Sequence, residues 1–291
     1  MEKSCVALGT FDGMHTGHQG LISKLIEISK KKHLKSIIVS LSKPVHHVSG
    51  LLSDLKEKKR LLSRSGADEL CILTADKSLT SISAEDFFND FLIKNLRMKH
   101  LVVGKNFAFG HNRKGDLAWL KENCPEKKIG LTVRSFSCSH GKQISSSRIR
   151  MLLHRGSIKF ASKLLGRLYS FEGSQIKGRG IGRKLGMPTI NLKVNPEKLL
   201  PLGVFLVVVE AKGRFFPAIA NIGTRPTFFK HGGVVPEIYI LGFHGKWKSG
   251  EVKVYLLEHV RKERKFKSVN ELKRQLNKDL KKARRYFGFT F

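Results

Sequence analysis

The sequence has few cysteines and no long apolar run. Its four cysteines, Cys5, Cys71, Cys124 and Cys138, form no C-x-x-C pair. We therefore expect neither a zinc site nor a disulfide framework, and a cytoplasmic setting in which thiols stay reduced. No apolar stretch approaches the roughly 20 residues that a membrane helix needs. The chain also opens on a strand-like pattern rather than a basic segment, so we predict neither a membrane span nor a signal peptide.

Acidic residues are scarce as well. The chain has 55 Lys and Arg against 23 Asp and Glu, a formal net charge of +32, and the excess is densest over residues 261–285. Such charge favours anionic ligands and can bind nucleic acid non-specifically. Aromatic residues do not alternate with the basic ones as they do on a single-strand binding platform. Two interpretations stay open, a basic solvated enzyme surface and a nucleic-acid-binding protein.

Short apolar segments alternate with amphipathic patterns through the first half of the chain. The patterns predict strands at 4–8, 36–41, 69–73, 100–103 and 131–136, and helices at 19–32, 54–65, 84–97 and 116–122. Ser83 is the predicted N-cap of the third helix. This alternation predicts a Rossmann-like α/β domain with a parallel sheet, in which ligands bind beyond the carboxyl ends of the strands.

The pattern changes after residue 167. Helical patterns at 146–154 and 157–164 precede apolar/polar alternation at 168–176, 204–211, 215–222, 237–243 and 252–257. That alternation predicts an antiparallel β-barrel or sandwich. A capping box from Ser268 to Glu271 opens a terminal helix. We therefore predict two domains, at 1–160 and 167–291.

The most informative segment is Gly9-Thr-Phe-Asp-Gly-Met-His-Thr-Gly-His18, which follows the first strand. Glycines let a ligand approach the backbone, and the next helix offers free N–H groups and a partial positive charge to phosphate. Two histidines there can bind triphosphate oxygens as the reaction adds charge to them. The segment predicts attack on the α-phosphate of a nucleotide, and the alternative is a tight turn whose histidines merely cap or fill. Its candidate site residues are Gly9, Phe11, Asp12, His15, Gly17 and His18.

Three further segments carry candidate binding residues. Asn106, in the run from Val102 to Gly110, offers both a donor and an acceptor to a ribose or phosphate. Ser147 and Arg148, in Ile144-Ser-Ser-Ser-Arg-Ile-Arg150, present a hydroxyl and a cationic fork at a helix start. The glycine-rich run 178–191 contains Pro-Thr-x-Asn and leads to a strand or loop, which excludes the Rossmann fingerprint.

Together these segments resemble a known family. Bacterial FAD synthetases have motifs similar to the segments 9–18, 102–110 and 144–150. Riboflavin kinase has a glycine-rich loop and a P-T-x-N motif that resemble the run 178–191. Matching stretches follow at 202–205, 220–227, 237–240 and 260–266. The resemblance therefore covers nearly the whole chain and is to the bacterial bifunctional riboflavin kinase/FMN adenylyltransferase family.

This resemblance implies phosphorylation of riboflavin to FMN by a C-terminal barrel and adenylylation of FMN to FAD by the N-terminal domain. ATP would be the co-substrate and Mg²⁺ the cofactor. The family register implies that His15 and His18 are catalytic and that Glu237 is the base for the riboflavin hydroxyl. In the second domain it implies that ATP is bound by Gly178, Gly180 and Gly182, and that magnesium is held by Thr189 and Asn191.

Two departures from the family lie near the expected flavin side of the first domain. They are Leu41-Ser-Lys-Pro-Val-His46 and Thr74-Ala-Asp76. A kinase with weak or lost adenylyl transfer therefore stays open as a narrower alternative to the bifunctional enzyme. The sequence leaves the oligomeric state open.

The charge hypothesis is testable. If the net charge of +32 only reflects a solvated surface, random duplex DNA should bind weakly at physiological salt, with a dissociation constant of roughly 10⁻⁴–10⁻⁶ M that weakens steeply as salt rises. Fluorescence anisotropy over a salt series measures this. Nanomolar, sequence-selective binding at physiological salt would favour the nucleic-acid interpretation instead.

Overall fold

The computed structural model describes residues 2–46, 48–135, 138–139, 141–178, 182, 186–225, 233–243, 247 and 250–288. The chain divides into two compact units, Met1–Ser146 and Ser147–Phe291. The boundary predicted from the sequence, between residues 160 and 167, lies further along the chain than the division between these two units. The extents of the two catalytic domains stay a prediction.

The first unit is a parallel α/β structure. Its long strands are β1 (Ser4–Gly9), β2 (Lys35–Leu41), β3 (Glu69–Leu73), β4 (Met98–Gly104) and β5 (Gly130–Arg134). They are all parallel and lie in the order β3-β2-β1-β4-β5. The order reverses between β1 and β4, and in open α/β sheets ligands bind beyond the carboxyl ends of the strands at such a point.

Helices connect these strands. They are α1 (Thr16–Lys32), α2 (Leu55–Ser63), α3 (Lys77–Ser81), α4 (Ala84–Asp86) with a π-helix (Phe87–Asn95), a 3-10 turn (His111–Arg113) and α5 (Leu117–Glu126). A short hairpin of β6 (Cys138–Ser139) and β7 (Lys142–Gln143) follows β5.

Both faces of the sheet are covered, as β1 illustrates. Its residues alternate between the two faces, so Val6 and Leu8 pack in one apolar cluster and Cys5 and Ala7 in another. All four are buried. Burial on both faces is the reason that the parallel strands read as continuous apolar runs in the sequence.

The α/β fold is confirmed, with differences in detail. The helix predicted at 84–97 continues from Asp86 as a π-helix, in which the Leu96 amide donates to the Phe91 carbonyl at 3.1 Å. Ser83 caps it as predicted, accepting from the Asp86 amide. The short α3, the 3-10 turn and the β6–β7 hairpin were not predicted, because such brief elements leave no periodicity to read. Residue 136, the end of the strand predicted at 131–136, lies outside the described residues.

The second unit is a closed antiparallel barrel preceded by α6 (Ser146–His154) and α7 (Ile158–Leu165). Its six strands are β8 (Ser170–Ile176), β9 (Ile190–Val194), β10 (Gly203–Ala211), β11 (Arg214–Arg225), β12 (Gly233–Ile240) and β13 (Glu251–Arg261). They close in the order β10-β11-β12-β9-β8-β13. The prediction of a barrel is thus confirmed. The strand predicted at 237–243 begins earlier, at Gly233, and ends at Ile240, before Gly242, whose φ of 67° is in the left-handed region.

The terminal helix α8 (Val269–Phe287) begins where the capping box predicts. Ser268 Oγ accepts from the Glu271 amide, and the Glu271 carboxylate accepts from the Lys267 amide. The Asp279 carboxylate of α8 is 4% exposed and pairs with the Arg261 guanidinium at 2.8 Å. This buried pair holds α8 against the end of β13.

The described residues contain no helix that is long and apolar enough to cross a membrane. All four cysteines are free thiols. Within the same residues, no group of three or more His, Cys, Asp or Glu side chains is arranged to hold a metal ion.

Candidate active sites

The loop between β1 and α1 has an unusual backbone. Phe11 and Met14 have φ angles of 48° and 40°, and Gly13 between them has 79°. Non-glycine residues are uncommon in this left-handed region, and they persist there when the surrounding structure holds them.

Asp12 holds this loop in place. Its side chain is 2% exposed, and its carboxylate accepts from the Leu52 and Ser53 amides at 3.2 and 3.1 Å. Ser53 Oγ accepts in turn from the Gly13 amide at 3.0 Å, and Ser146 Oγ donates to the Asp12 carbonyl at 2.9 Å. Asp12 is therefore a buried brace of the loop, and its carboxylate does not line the cavity beside it.

The two histidines of the loop form a stacked pair. Their ring centroids are 3.6 Å apart with an interplanar angle of 17°. His15 is the N-cap of α1, and its Nδ1 accepts from the His18 amide at 3.3 Å. An accepting nitrogen carries no proton, so the neutral His15 ring holds its proton on Nε2.

His18 lies in the first turn of α1, edge-on to the Phe11 ring at 5.3 Å. Burial, and then the nearby His15 and Lys58, hold the pKa of His18 well below its ordinary value. Its Nδ1 is buried and has no hydrogen-bond partner among the described residues. The His18 ring is thus neutral at neutral pH, until an anionic ligand raises its pKa.

These histidines line a cavity of about 290 Å³, which we call the histidine cavity. It lies where β1 and β4 end, at the reversal of strand order. Its wall is formed by Gly9, Phe11, His15, Gly17, His18, Asn106, Phe107, Arg134 and residues 143–146, among others. The structure thus brings together most of the candidate residues of the first domain. Ser147 and Arg148 are the next residues of α6, at the start of the second unit.

A second cavity of about 570 Å³, the aromatic cavity, adjoins the first through Gly9, Asn106 and Phe107, which line both. Phe87, Phe107 and Phe109 line it, and the Phe107 and Phe109 rings are stacked at 5.7 Å. Basic and polar groups at His46, His111 and Arg113 also line it. An apolar slot with a few polar groups suits a flat aromatic ligand.

The two departures noted in the sequence lie at or near the aromatic cavity. Leu41, Pro44, Val45 and His46 are part of its lining. Asp76 is instead the N-cap of α3, accepting from the Leu79 amide at 2.9 Å.

Lys58 was not predicted from the sequence as a site residue, and it is fully buried in α2. Its Nζ donates to the carbonyls of Thr10, Leu41 and Ser42 at 2.9, 2.8 and 3.1 Å. The Lys58 amine therefore links the carboxyl end of β1 to that of β2 by hydrogen bonds. A lysine four positions before the buried Leu62, on the inner face of a helix, was the available signal.

In the second unit, strand register brings the candidate residues together. Glu237 of β12 pairs with Asn191 of β9 on one side and with Asn221 of β11 on the other. Directly opposite residues of neighbouring strands share a face of the sheet. All three line a cavity of about 320 Å³, the barrel cavity, together with Thr189.

The glycine-rich segment packs against this row. A Cβ on Gly178 would overlap the Asn191 amide nitrogen, and one on Gly182 would overlap the Met187 carbonyl and lie 3.3 Å from Thr189 Oγ1. Only glycine permits so close an approach. Gly180 lies outside the described residues, as do residues 226 and 227 of the matching stretch at 220–227.

Asn191 has the properties of a ligand-binding residue. It is 5% exposed, and its Oδ1 has no hydrogen-bond partner among the described residues. A buried oxygen without a partner costs free energy. Amide and hydroxyl oxygens are hard ligands of the kind that Mg²⁺ accepts alongside phosphate and water. Asn191 and Thr189 therefore fit the magnesium that the resemblance implies.

The opposite wall of the barrel cavity comes from the end of β13 and from α8. Arg261, Arg264 and Phe266 line it with Leu272 and Leu276. Arg264 lies over the Phe266 ring at 4.7 Å from its centroid. Burial raises the pKa of the Glu263 carboxyl in the same wall. The cavity thus has a polar side at Glu237 and an apolar side at α8.

Two family models match the chain, FAD synthetase over residues 1–148 and riboflavin kinase over residues 165–287. The bifunctional riboflavin kinase/FMN adenylyltransferase of Escherichia coli strain K12 is 33% identical over 300 residues, which cover 99% of this chain and 95% of that protein. The protein of the same name from Bacillus subtilis strain 168 is 32% identical over 296 residues, with coverage of 98% and 93%.

A crystal structure described as a macrolide-efflux protein from Streptococcus pneumoniae is also similar. It has a TM-score of 0.85 and 29% identity, and the match covers 97% of this chain and 94% of that one. The name of that protein differs from the name that the two relatives share.

Replacing Lys58 with Met should flatten the pH dependence of stability. Burial lowers the pKa of Lys58 from 10.5 to about 8, so the folded chain loses this proton at a lower pH than the unfolded chain. The cost of burying the charged amine is present below pH 8 and is relieved as the pH rises toward 10.5. The resulting change in the free energy of unfolding is about 3 kcal/mol at most.

Urea unfolding across that pH range measures the difference. The free energy of unfolding of the unmodified chain should rise with pH relative to that of Lys58→Met. Lys59→Met, at an exposed neighbour, is the control and should leave the pH dependence unchanged. Parallel curves for Lys58→Met and the unmodified chain would contradict a charged, buried Lys58.

Proposed function

This chain belongs to the bifunctional riboflavin kinase/FMN adenylyltransferase family, and we propose a role for each of its site residues in the family's two reactions. The chain transfers the γ-phosphate of ATP to riboflavin, giving FMN and ADP. It then joins AMP from a second ATP to FMN, giving FAD and pyrophosphate. We assign the second reaction to residues 1–160 and the first to residues 167–291.

In adenylyl transfer, a phosphate oxygen of FMN attacks the α-phosphorus of ATP while the bond to the bridging oxygen of the β-phosphate breaks. The observation that carries our assignment is the stacked His15–His18 pair in a cavity at the strand-order reversal. We assign to both rings hydrogen bonds to the phosphates, where negative charge moves toward the departing pyrophosphate.

The remaining residues of this site bind and position. Gly9 and Gly17 allow the nucleotide to approach the backbone, and Phe11 packs against His18. Asp12 acts indirectly, by holding the loop. Asn106 lies at the junction of the histidine and aromatic cavities, which suits a role in aligning ATP with FMN. Ser147 and Arg148, in the first turn of α6, would add a hydroxyl and a guanidinium for phosphate.

The aromatic cavity is the proposed site for the flavin of FMN. Phe87, Phe107 and Phe109 offer apolar surface to the isoalloxazine ring. Its place beside the histidine cavity would bring the FMN phosphate toward the α-phosphate of ATP.

In the kinase reaction, Glu237 is the proposed base for the 5′-hydroxyl of riboflavin. The hydroxyl oxygen attacks the γ-phosphorus as its proton passes to the carboxylate, while the bond from the γ-phosphorus to the oxygen bridging it to the β-phosphate breaks and ADP leaves. Thr189 and Asn191 would hold magnesium, which would screen the charge of the phosphates. Gly178, Gly180 and Gly182 would bring backbone amides to the phosphates. The wall at Arg264, Phe266 and α8 is the proposed flavin side.

A cytoplasmic location is part of this proposal, because scattered free cysteines suit a reducing compartment. A role as a dedicated nucleic-acid-binding protein is the disfavoured alternative. Its only support is net charge, whereas such a protein would have no use for the polar residues assembled in the three cavities.

His18→Ala should lower FAD formation from FMN by at least about 100-fold, because it removes a donor to the reacting phosphates. Riboflavin phosphorylation should stay near its unmodified rate. Chromatography of FMN and FAD after incubation with Mg-ATP measures both. Full FAD formation by folded His18→Ala protein would refute the assignment.

Glu237→Gln should have the opposite effect in the full chain. The amide is nearly the same size but cannot accept the proton, so riboflavin phosphorylation should fall by about 10²–10⁴. FAD formation from supplied FMN should continue, which makes the His18 and Glu237 variants controls for each other. An unchanged kinase rate in Glu237→Gln would show that Glu237 is not the base.

A further inference from the structure

Arg134 ends β5 at the carboxyl edge of the parallel sheet and belongs to none of the motifs discussed above. It nevertheless lines the histidine cavity together with His15, His18 and Asn106. Its backbone carbonyl accepts from the Lys105 amide at 3.1 Å, which ties this strand end to the residue before Asn106.

The guanidinium of Arg134 lies against Gly20 of α1. A Cβ on Gly20 would lie 2.9 Å from Arg134 Nη2 and 3.2 Å from Nε. The guanidinium therefore lies directly against α1 where the helix has no side chain. This contact places a cation near the N-terminal turn of α1, whose amides already favour an anion.

Among the described residues, the Arg134 guanidinium has no counter-ion and makes no hydrogen bond. Polar residues nevertheless line the cavity around it. The described lining of the histidine cavity contains no Asp or Glu, and Arg134 is the only Lys or Arg in it. Burial holds the pKa of His18 well below its ordinary value, and His15 Nδ1 accepts a hydrogen bond from the His18 amide. Among the described lining residues of this cavity, Arg134 is therefore the one that offers an anion a permanent positive charge, and Arg148 lies beyond that lining.

We propose that Arg134 binds the β- and γ-phosphates of ATP and, after transfer, the pyrophosphate they become. The inference rests on the adenylyl transfer proposed above. A guanidinium can form two parallel hydrogen bonds to phosphate oxygens, and it stays charged at every working pH. Because substrate and product carry these same phosphates, Arg134 contributes to binding in both and acts less on the chemical step.

Arg134→Gln tests this role in the full chain. The KM for ATP in the conversion of FMN to FAD should rise about tenfold, as expected for loss of a charged hydrogen bond, while kcat changes little. Arg134→Lys should recover part of the loss. Arg64→Gln removes an equal charge from the end of α2, outside the cavity, and should leave the KM unchanged. The KM for ATP in riboflavin phosphorylation should stay constant in every variant.

Gly20→Ala provides a second test without removing the charge. The added Cβ should displace the guanidinium, so the KM for ATP in FAD formation should rise even though alanine favours a helix. In Gly20→Ala/Arg134→Gln, the effect of Gly20→Ala should disappear, because the two changes act through one group. Additive effects of the two substitutions would overturn the proposed link between Gly20 and Arg134.

Calorimetric titration with inorganic pyrophosphate separates this inference from the proposed function. The dissociation constant should be about tenfold weaker in Arg134→Gln than in the unmodified chain or Arg64→Gln. If the unmodified chain forms no FAD, the proposed function fails, while the titration still decides the role of Arg134. If pyrophosphate binding and the KM for ATP are both unchanged in Arg134→Gln, Arg134 does not bind these phosphates.

Discussion

The nucleotide end of the first unit depends on the buried carboxylate of Asp12. It accepts two backbone amides from Leu52 and Ser53, in the connection that follows β2. Those bonds hold the left-handed residues Phe11 and Met14, which would otherwise relax to a more common conformation. The orientation of His15 and His18 follows from that backbone.

Lys58 complements Asp12. Its buried amine lies among three carbonyls at the ends of β1 and β2, and the charge of Asp12 favours its protonated form. A buried carboxylate and a buried amine together thus set the carboxyl edge of the sheet. Such groups are costly to bury unless their hydrogen bonds are satisfied, and here backbone groups satisfy them.

The second unit builds its site by a different rule. Glu237, Asn191 and Asn221 come from three strands, and antiparallel register alone places them side by side. A shift of one residue in β12 would turn Glu237 to the other face of the sheet. Gly178 packs against the Asn191 side chain, where a Cβ would overlap the amide nitrogen.

Much of the fold could be predicted because its signals are local. Alternating periodicity identified the parallel sheet, and the glycines and capping residues, such as Ser83 and Ser268, marked element ends. The π-helix at 87–95 could not be predicted, since the spacing of its buried residues Phe87, Phe88 and Leu92 does not distinguish it from an α-helix. The grouping of Asn106 with the histidine loop was inferable because both follow parallel strands. Its spacing from Leu62 placed Lys58 on the inner face of a helix, but its three carbonyl partners could not be inferred.

The sequence by itself determined the two-domain organisation, the fold classes and the family, because each rests on periodicity or on residues close together along the chain. Only the tertiary structure decided that Asp12 is a brace, that Lys58 is buried, and that Arg134 is the one Lys or Arg among the described residues lining the histidine cavity. Each of these properties depends on residues that are distant in the sequence, as Gly20 is from Arg134. Charge and hydrogen bonding act through space, so a linear pattern does not encode them directly.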